Sequence, residues 1–167
     1  KSVIDLSTTV KDSLKMLRAV IPSTIEIRQN IPDSGRVYSD PTQIHQILMN
    51  LCTNAAQSIS NTGVIEVDVS RTHIDPARAE SLGISPGCHL EISISDTGSG
   101  MTAETMTRIF EPYFTTKEQG RGSGLGLAVV HGIIKNSNGA LTCSSIPGKG
   151  SVALLPIEWV NSVPESA

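Results

Sequence analysis

The sequence predicts an α/β fold of the α+β kind, a two-layer sandwich in which a mixed, mainly antiparallel sheet packs on about three helices. Three observations carry that prediction. Val64-Ile65-Glu66-Val67-Asp68-Val69 and Leu90-Glu91-Ile92-Ser93-Ile94-Ser95 alternate apolar and polar residues, the period-two signature of neighbouring strands with one buried face. From Asp40-Pro41 to Ile59 the apolar residues instead recur at helical spacing. Ala140-Leu141-Thr142-Cys143 and Ser151-Val152-Ala153-Leu154 flank Ile146-Pro147-Gly148-Lys149-Gly150, a hairpin by its turn residues.

In chain order, Val10, Leu14, Leu17 and Val20 lie on one side of a short amphipathic helix, with Thr8 or Thr9 as its cap. Beyond Pro22, Thr24 to Arg28 alternates as a half-buried strand does, and Arg36-Val37-Tyr38 reads as a second short one. Asp40-Pro41 opens the long helix, a capping carboxylate followed by a proline whose missing N–H costs nothing at the first helical position. Ile44, Ile47, Leu48, Leu51, Cys52, Ala55 and Ile59 form its apolar stripe. Asn61-Thr62-Gly63 is a turn. Between the two alternating strands, Asp75 to Gly87 reads as a surface insertion with one helical turn around Pro76 to Leu82. Thr102 to Phe110 is a short helix, Glu111 to Ser123 lacks periodicity, and Gly124 to Lys135 is helical with a glycine-rich entrance. There is no internal repeat. One domain covers residues 1–160, and residues 161–167 form a C-terminal tail.

Composition narrows the function classes. A chain of 167 residues is long enough for one buried core. Its net charge of −3, with basic residues scattered, offers no electrostatic footprint for nucleic acid. Cys52, Cys88 and Cys143 are odd in number, far apart and without a CxxC pair, which argues against a disulfide framework or a zinc site and for a reducing, cytoplasmic compartment. No apolar run reaches membrane-spanning length, so no direct membrane contact is expected of this domain even where its parent is membrane-anchored.

Four constellations carry candidate chemistry. Asn50 and Asn54 project from one helix face, flanked by Gln46 and Gln57. Asparagine is a mediocre helix former, so the pair needs a reason. A solvated face or a helix-to-loop hydrogen bond supplies one, and an amide oxygen ligating a hard cation such as Mg²⁺ beside a nucleotide's phosphates supplies another. Asp96-Thr97-Gly98-Ser99-Gly100-Met101 stands where an alternating strand ends. It is either a plain turn or a carboxylate fixed to accept a hydrogen bond from adenine's exocyclic amine, with Gly98 and Gly100 permitting close approach or positive φ. Gly120-Arg121-Gly122-Ser123-Gly124-Leu125-Gly126-Leu127 leads into an apolar helix, which presents free N–H groups and the positive dipole end to phosphate. It has neither P-loop nor Rossmann spacing, and Gly148-Lys149-Gly150-Ser151 lies in the hairpin turn and is structural. Phe110-Glu111-Pro112-Tyr113-Phe114-Thr115-Thr116-Lys117 concentrates aromatics in an aperiodic stretch, as packing or as a lid that offers Lys117 to phosphates.

The order of these signals is that of one family. Asn50-Leu51-Cys52-Thr53-Asn54-Ala55 resembles the N box of sensor histidine kinases, Asp96 to Met101 their G1 box, Phe110 to Lys117 their F box, and Gly122 to Leu127 their G2 box. The resemblance runs from about Asp5 to Ile157, and the insertion ending Ser85-Pro86-Gly87 resembles kinases of the hybrid or PAS-linked type. It implies the Bergerat ATP-binding sandwich, with ATP and Mg²⁺ as cofactors. Asn54 matches the Mg²⁺-binding asparagine, with Asn50 beside it near the phosphates. Asp96 matches the adenine-reading carboxylate, and Gly98, Gly100 and Met101 line the base pocket. Phe110, Phe114, Lys117, Gly122, Ser123, Gly124, Leu125 and Gly126 match lid and phosphate-contacting positions, Asn50 and Lys117 being those nearest the chemistry. Two positions depart from the common pattern: Gln57 stands where many kinases have Lys or Arg, and Ser123 where many have Thr.

The resemblance also separates kinase from ATPase. The related ATPases carry a Glu one helical turn before the metal-binding asparagine, to activate water. Here that position is Asn50, which cannot take a proton. Transfer to a neutral imidazole needs positioning and charge neutralisation more than a base. His45, His73, His89 and His131 are the only histidines, and none heads a helix in the His-Glu or His-Asp pair of the family's phosphorylated H box. The expected partners are therefore the parent's own dimerisation and phosphoacceptor domain and, downstream, a response regulator receiver domain. The alternatives are a nucleotide-binding interaction module of the same fold without phosphotransfer and, more distantly, a serine kinase of the anti-sigma type.

Overall fold

The computed structural model describes residues 1–33, 35–111 and 126–160. Their elements run β1 (Ser2–Asp5), α1 (Leu6–Val20), β2 (Ile25–Asn30), β3 (Arg36–Ser39), α2 (Pro41–Ser58), β4 (Gly63–Ile74), α3 (Pro76–Leu82), β5 (Gly87–Asp96), α4 (Ala103–Met106), α5 (Gly126–Asn136), β6 (Thr142–Ile146) and β7 (Gly150–Glu158). Five strands form the main sheet in the order β2-β4-β5-β7-β6, and β1 pairs with β3 in a small separate ribbon. Every pairing is antiparallel except β2 with β4, so the sheet is mixed and mainly antiparallel, as the sequence predicts. Helices α1, α2 and α5 are the three long ones among the described residues.

The core lies between the inner face of the sheet and this helix layer. Antiparallel registers place Ile65, Val67 and Val69 opposite Asp96, Ile94 and Ile92, and these in turn opposite Ser151, Ala153 and Leu155. Period-two alternation sends all these side chains to the same face. The α2 stripe meets it, with Ile44, Ile47, Leu48, Leu51, Cys52 and Ala55 buried. Each fully buried aliphatic side chain contributes about 1.5–3 kcal/mol. This packing also fixes the rotation of α2 about its axis, and hence where its polar residues point. No helix among the described residues is long and apolar enough to cross a membrane.

The long helix starts as expected, with Asp40 Oδ1 accepting the Thr42 N–H at 2.8 Å and Pro41 in the first turn. The first helix begins earlier than its apolar spacing indicates. Its cap is Asp5, whose Oδ1 accepts the Thr8 N–H at 2.9 Å, rather than Thr8 or Thr9. The four residues before it form β1, a strand too short to show a period. Strands β4 and β5 likewise outrun their alternating stretches; the outer half of β4 carries polar residues on both faces, and β5 begins already at Gly87. The stretch between them holds the helical turn expected at Pro76 to Leu82. Asp75 caps α3, and Arg78 of α3 pairs with Glu91 at 3.5 Å, laying α3 over the outer face where Ile74 and Ala79 are buried. Helix α4 covers only part of the predicted Thr102 to Phe110 helix, the remainder continuing as hydrogen-bonded turns. Residues 124 and 125 of the predicted α5 entrance lie outside the described residues, as does the tail at 161–167.

The small ribbon is tied to the main sheet at one point. Val37 bridges Trp159, Val160 N–H donates to Arg36 O at 3.0 Å, and the Trp159 indole lies against Gly35. Gly35 has φ +133°, and a Cβ there would fall 2.4 Å from Trp159 Nε1. Gly35→Ala should therefore destabilise the protein by about 2 kcal/mol or more, through backbone strain and displacement of the indole. In urea unfolding this reads as a lower midpoint at unchanged slope, and an unaltered midpoint would show that the strap is not needed for stability.

Candidate functional site

The C-terminal end of α2 meets the C-terminal end of β5. Asp96 continues the inward-facing series Leu90, Ile92 and Ile94, so its carboxylate points toward the helix layer instead of outward. The backbone turns sharply after it. Gly98 N–H donates to Asp96 Oδ1 at 2.8 Å, and Ser58 Oγ of α2 approaches the same oxygen at 3.3 Å. Ser99 N–H donates to Ser58 O at 3.0 Å. Glycine is required at 98, because a Cβ there would fall 1.9 Å from Ser58 Oγ.

Three further elements pin the loop. Thr97 N–H donates to Val64 O at 3.1 Å while Thr97 Oγ1 accepts the Val64 N–H at 3.0 Å. Met101 N–H donates to Ser145 Oγ of β6 at 2.7 Å, and Gly148 N–H donates to Ser99 O at 2.7 Å. Gly100 sits at φ +69°, and a Cβ on it would meet the Ile146 carbonyl at 2.2 Å. Gly98 thus serves close packing against α2, and Gly100 a positive φ.

Burial raises the pKa of Asp96 above its ordinary value. The Gly98 amide, the Ser58 hydroxyl and the Ser151 amide oppose that shift by donating to the charged form.

Asn50 and Asn54 are half-buried and project toward the entrance of α5. A Cβ placed on Gly126 would lie 3.5 Å from Asn50 Oδ1 and 3.7 Å from Asn54 Nδ2. The first residue of α5 therefore rests on the carboxamide pair. A helix N-terminus is a natural anion site, and carboxamide oxygens are hard ligands suited to Mg²⁺, so the residues present fit a metal–phosphate pair. Gln57 is exposed on the last turn of α2, and Met101 is half-buried beyond the loop. Phe110 stacks on His131 of α5, ring centroids 5.1 Å apart and planes 29° from parallel. Of the remaining candidates, Phe114, Lys117, Gly122, Ser123, Gly124 and Leu125 lie outside the described residues.

Sequence reasoning missed three members of this site. Ser58 had a usable signal, since it extends the Asn50, Asn54 column by another four residues. Thr97 and Ser145 had none, because their role depends on cross-strand neighbours.

Comparisons with known proteins agree with this geometry. Residues 39–158 match the family described as histidine kinase-, DNA gyrase B-, and HSP90-like ATPase. The sensor histidine kinase ZraS of Escherichia coli K12 is 36% identical over 154 residues, covering 91% of this chain and 30% of ZraS. The chain spans about a third or less of the length of the curated relatives it matches most strongly. Among solved structures, the catalytic domain of histidine kinase ThkA superposes with TM-score 0.74 at 24% identity, covering 95% of each chain. Full-length ShkA in complex with AMPPNP superposes with TM-score 0.73 at 22% identity, covering 95% of this chain and 31% of ShkA.

A carboxyl whose pKa is higher in the folded than in the unfolded chain binds its proton more tightly in the fold, so ionising it disfavours folding. That cost is absent below the unfolded pKa and complete above the folded one. Asp96→Asn keeps an oxygen to accept from Gly98 and cannot ionise. It should raise the Tm at pH 7, with the gain shrinking as pH falls toward about 4, the ordinary carboxylate value. A lower Tm for the variant at pH 7 would mean that the donors around Asp96 outweigh its burial.

Proposed function

We propose, because the chain belongs to the family of histidine kinase-, DNA gyrase B-, and HSP90-like ATPases, that it is the ATP-binding catalytic domain of a sensor histidine kinase. In this reading residues 1–160 form the domain. It binds Mg·ATP and donates the γ-phosphoryl group to a histidine on a separate dimerisation domain, from which a response regulator receiver domain is served. The observation that carries the reading is the pairing of an inward-facing carboxylate at the end of β5 with a carboxamide pair under the first turn of α5.

Asp96 accepts a hydrogen bond from the adenine amine, whereas guanine would turn a carbonyl oxygen toward the carboxylate and be repelled. Gly98, Gly100 and Met101 bound the base pocket on one side. The carboxamide oxygen of Asn54 is a metal ligand, and Asn50 and Gln57 lie along the same edge. Bound Mg²⁺ supplies neutralisation of phosphate charge. Gly126 and the first amides of α5 face the phosphates, with Gly122, Ser123, Gly124, Leu125 and Lys117 assigned to them by resemblance and Phe110 and Phe114 to the lid. The complex of ShkA with AMPPNP supports an adenine nucleotide as the ligand of this fold.

Two features favour transfer to an external histidine over hydrolysis. Asn50 offers no base to activate water. The acceptor imidazole provides its own lone pair: the unprotonated ring nitrogen forms a bond to phosphorus, the bond to the ADP oxygen breaks, and the other ring nitrogen releases its proton. Two of the chain's own histidines are otherwise engaged. His131 is stacked on Phe110, and His89 is buried with Nδ1 3.0 Å from Gly87 O. A hybrid or PAS-linked parent rests on the likeness of the segment ending Ser85-Pro86-Gly87 alone.

Calorimetric titration with ADP and GDP, with and without Mg²⁺, tests the reading. Wild type should bind ADP in the micromolar to millimolar range and GDP at least about tenfold more weakly, the factor expected when a buried polar group is left unpaired. Asp96→Ala should lose ADP binding, and Asn54→Ala should lose the Mg²⁺ dependence. Equal binding of both bases would contradict the base-reading role of Asp96. Absence of any nucleotide binding would favour an interaction module.

A further inference from the structure

We infer that Ser58 is a specificity-determining positioning residue for adenine, its hydroxyl sharing Oδ1 of Asp96 with the Gly98 amide so that the other carboxylate oxygen is presented to the base's 6-amino group. The inference rests on the reading above and adds a residue to it.

The position of the hydroxyl is unusually constrained for a serine at a helix end. Its backbone carbonyl is held by the Ser99 N–H at 3.0 Å. Its side chain is walled in by Gly98, where a Cβ would fall 1.9 Å from Oγ and 2.8 Å from the Ser58 Cβ. The oxygen is thus wedged between the last turn of α2 and the Asp96–Gly98 turn.

A serine hydroxyl has one hydrogen to donate. Two acceptors lie within its reach, Ala55 O at 2.7 Å and Asp96 Oδ1 at 3.3 Å. The nearer is a neutral carbonyl and the farther a carboxylate, and a bond to a charged acceptor is the stronger kind once made. Rotation of the O–H alone moves the proton from one to the other. With the proton on Oδ1, the carboxylate is held by three donors, Ser58, Gly98 and the Ser151 amide, instead of two.

That further donor matters for base choice in two ways. A carboxylate with fewer donors twists more freely about its terminal torsion, which is broad and soft. A donor to Oδ1 also favours the ionised form against the burial that disfavours it. Only the ionised form is a pure acceptor for an amine, whereas a protonated carboxyl would offer an O–H suited to a carbonyl such as guanine's.

The test compares ADP with purine riboside 5′-diphosphate, which carries hydrogen in place of the 6-amino group. Both are titrated into wild type, Ser58→Ala and Ser58→Gly; both substitutions remove the hydroxyl without adding bulk against Gly98. In wild type ADP should bind at least about tenfold more tightly than the analogue, the scale of a hydrogen bond to a charged group. In both variants that ratio should fall by about threefold to tenfold, while analogue affinity stays within about twofold of wild type. Equal loss of affinity for both ligands would mean that Ser58 only supports the loop, and an unchanged ratio would likewise overturn the inference. A wild-type protein that binds the two ligands alike removes the base-reading role of Asp96 and this role of Ser58 together.

Discussion

Everything in the candidate site depends on the contact between the last turn of α2 and the turn that follows β5. Gly98 lies so close to Ser58 that only hydrogen fits between backbone and hydroxyl, and the Ser99 amide hydrogen-bonds to the helix's own terminal carbonyl. Two elements from different layers of the sandwich are thereby locked together. The rotation of α2 is set by its apolar stripe on the sheet, and the direction of Asp96 is set by strand register. Because both are determined by the core, Ser58 and the carboxylate face each other with little freedom, while Asn50 and Asn54 continue the same column toward α5. Such rigidity costs nothing at the moment of binding, which is the advantage of preorganised polar groups.

The site divides its work by charge. At the base end sits a single carboxylate whose burial raises its pKa and whose three donors pull it back, an arrangement suited to reading one amine. At the phosphate end the helix offers neutral carboxamides, which can ligate a cation without adding negative charge beside an anionic ligand. In the reading proposed above, Asn at position 50 offers no base to take a proton from water but keeps an acceptor oxygen, which favours group transfer over hydrolysis.

Much of this was legible in the sequence because it is written in periods. Alternation at Val64 to Val69 and Leu90 to Ser95 identified the two central strands, and continuing that alternation by one step places Asp96 inward. Asp40-Pro41 announced the start of α2, and its stripe was buried as read. What escaped had no period to show. Strand β1 is four residues long, the outer half of β4 carries polar residues on both faces, and the packing of α3 on the outer face rests on Ile74, Ala79 and one ion pair. The loop-pinning roles of Thr97 and Ser145 depend on hydrogen bonds to strands distant in sequence, which no local pattern encodes.

In the proposed reading one ligand bridges the β5 turn and the carboxamide pair under α5. The most direct measurement is an amide-correlation NMR titration of the isotopically labelled protein with Mg·ADP. The account predicts the largest shifts at the backbone amides of Gly98, Ser99, Gly100 and Gly126 and at the side-chain amides of Asn50 and Asn54. The open groove between α1 and β2, lined by Thr8, Lys11, Lys15 and Gln29 among others, should be unmoved. Shifts confined to that groove or elsewhere, with the Gly98 and Asn54 signals unchanged, would contradict it.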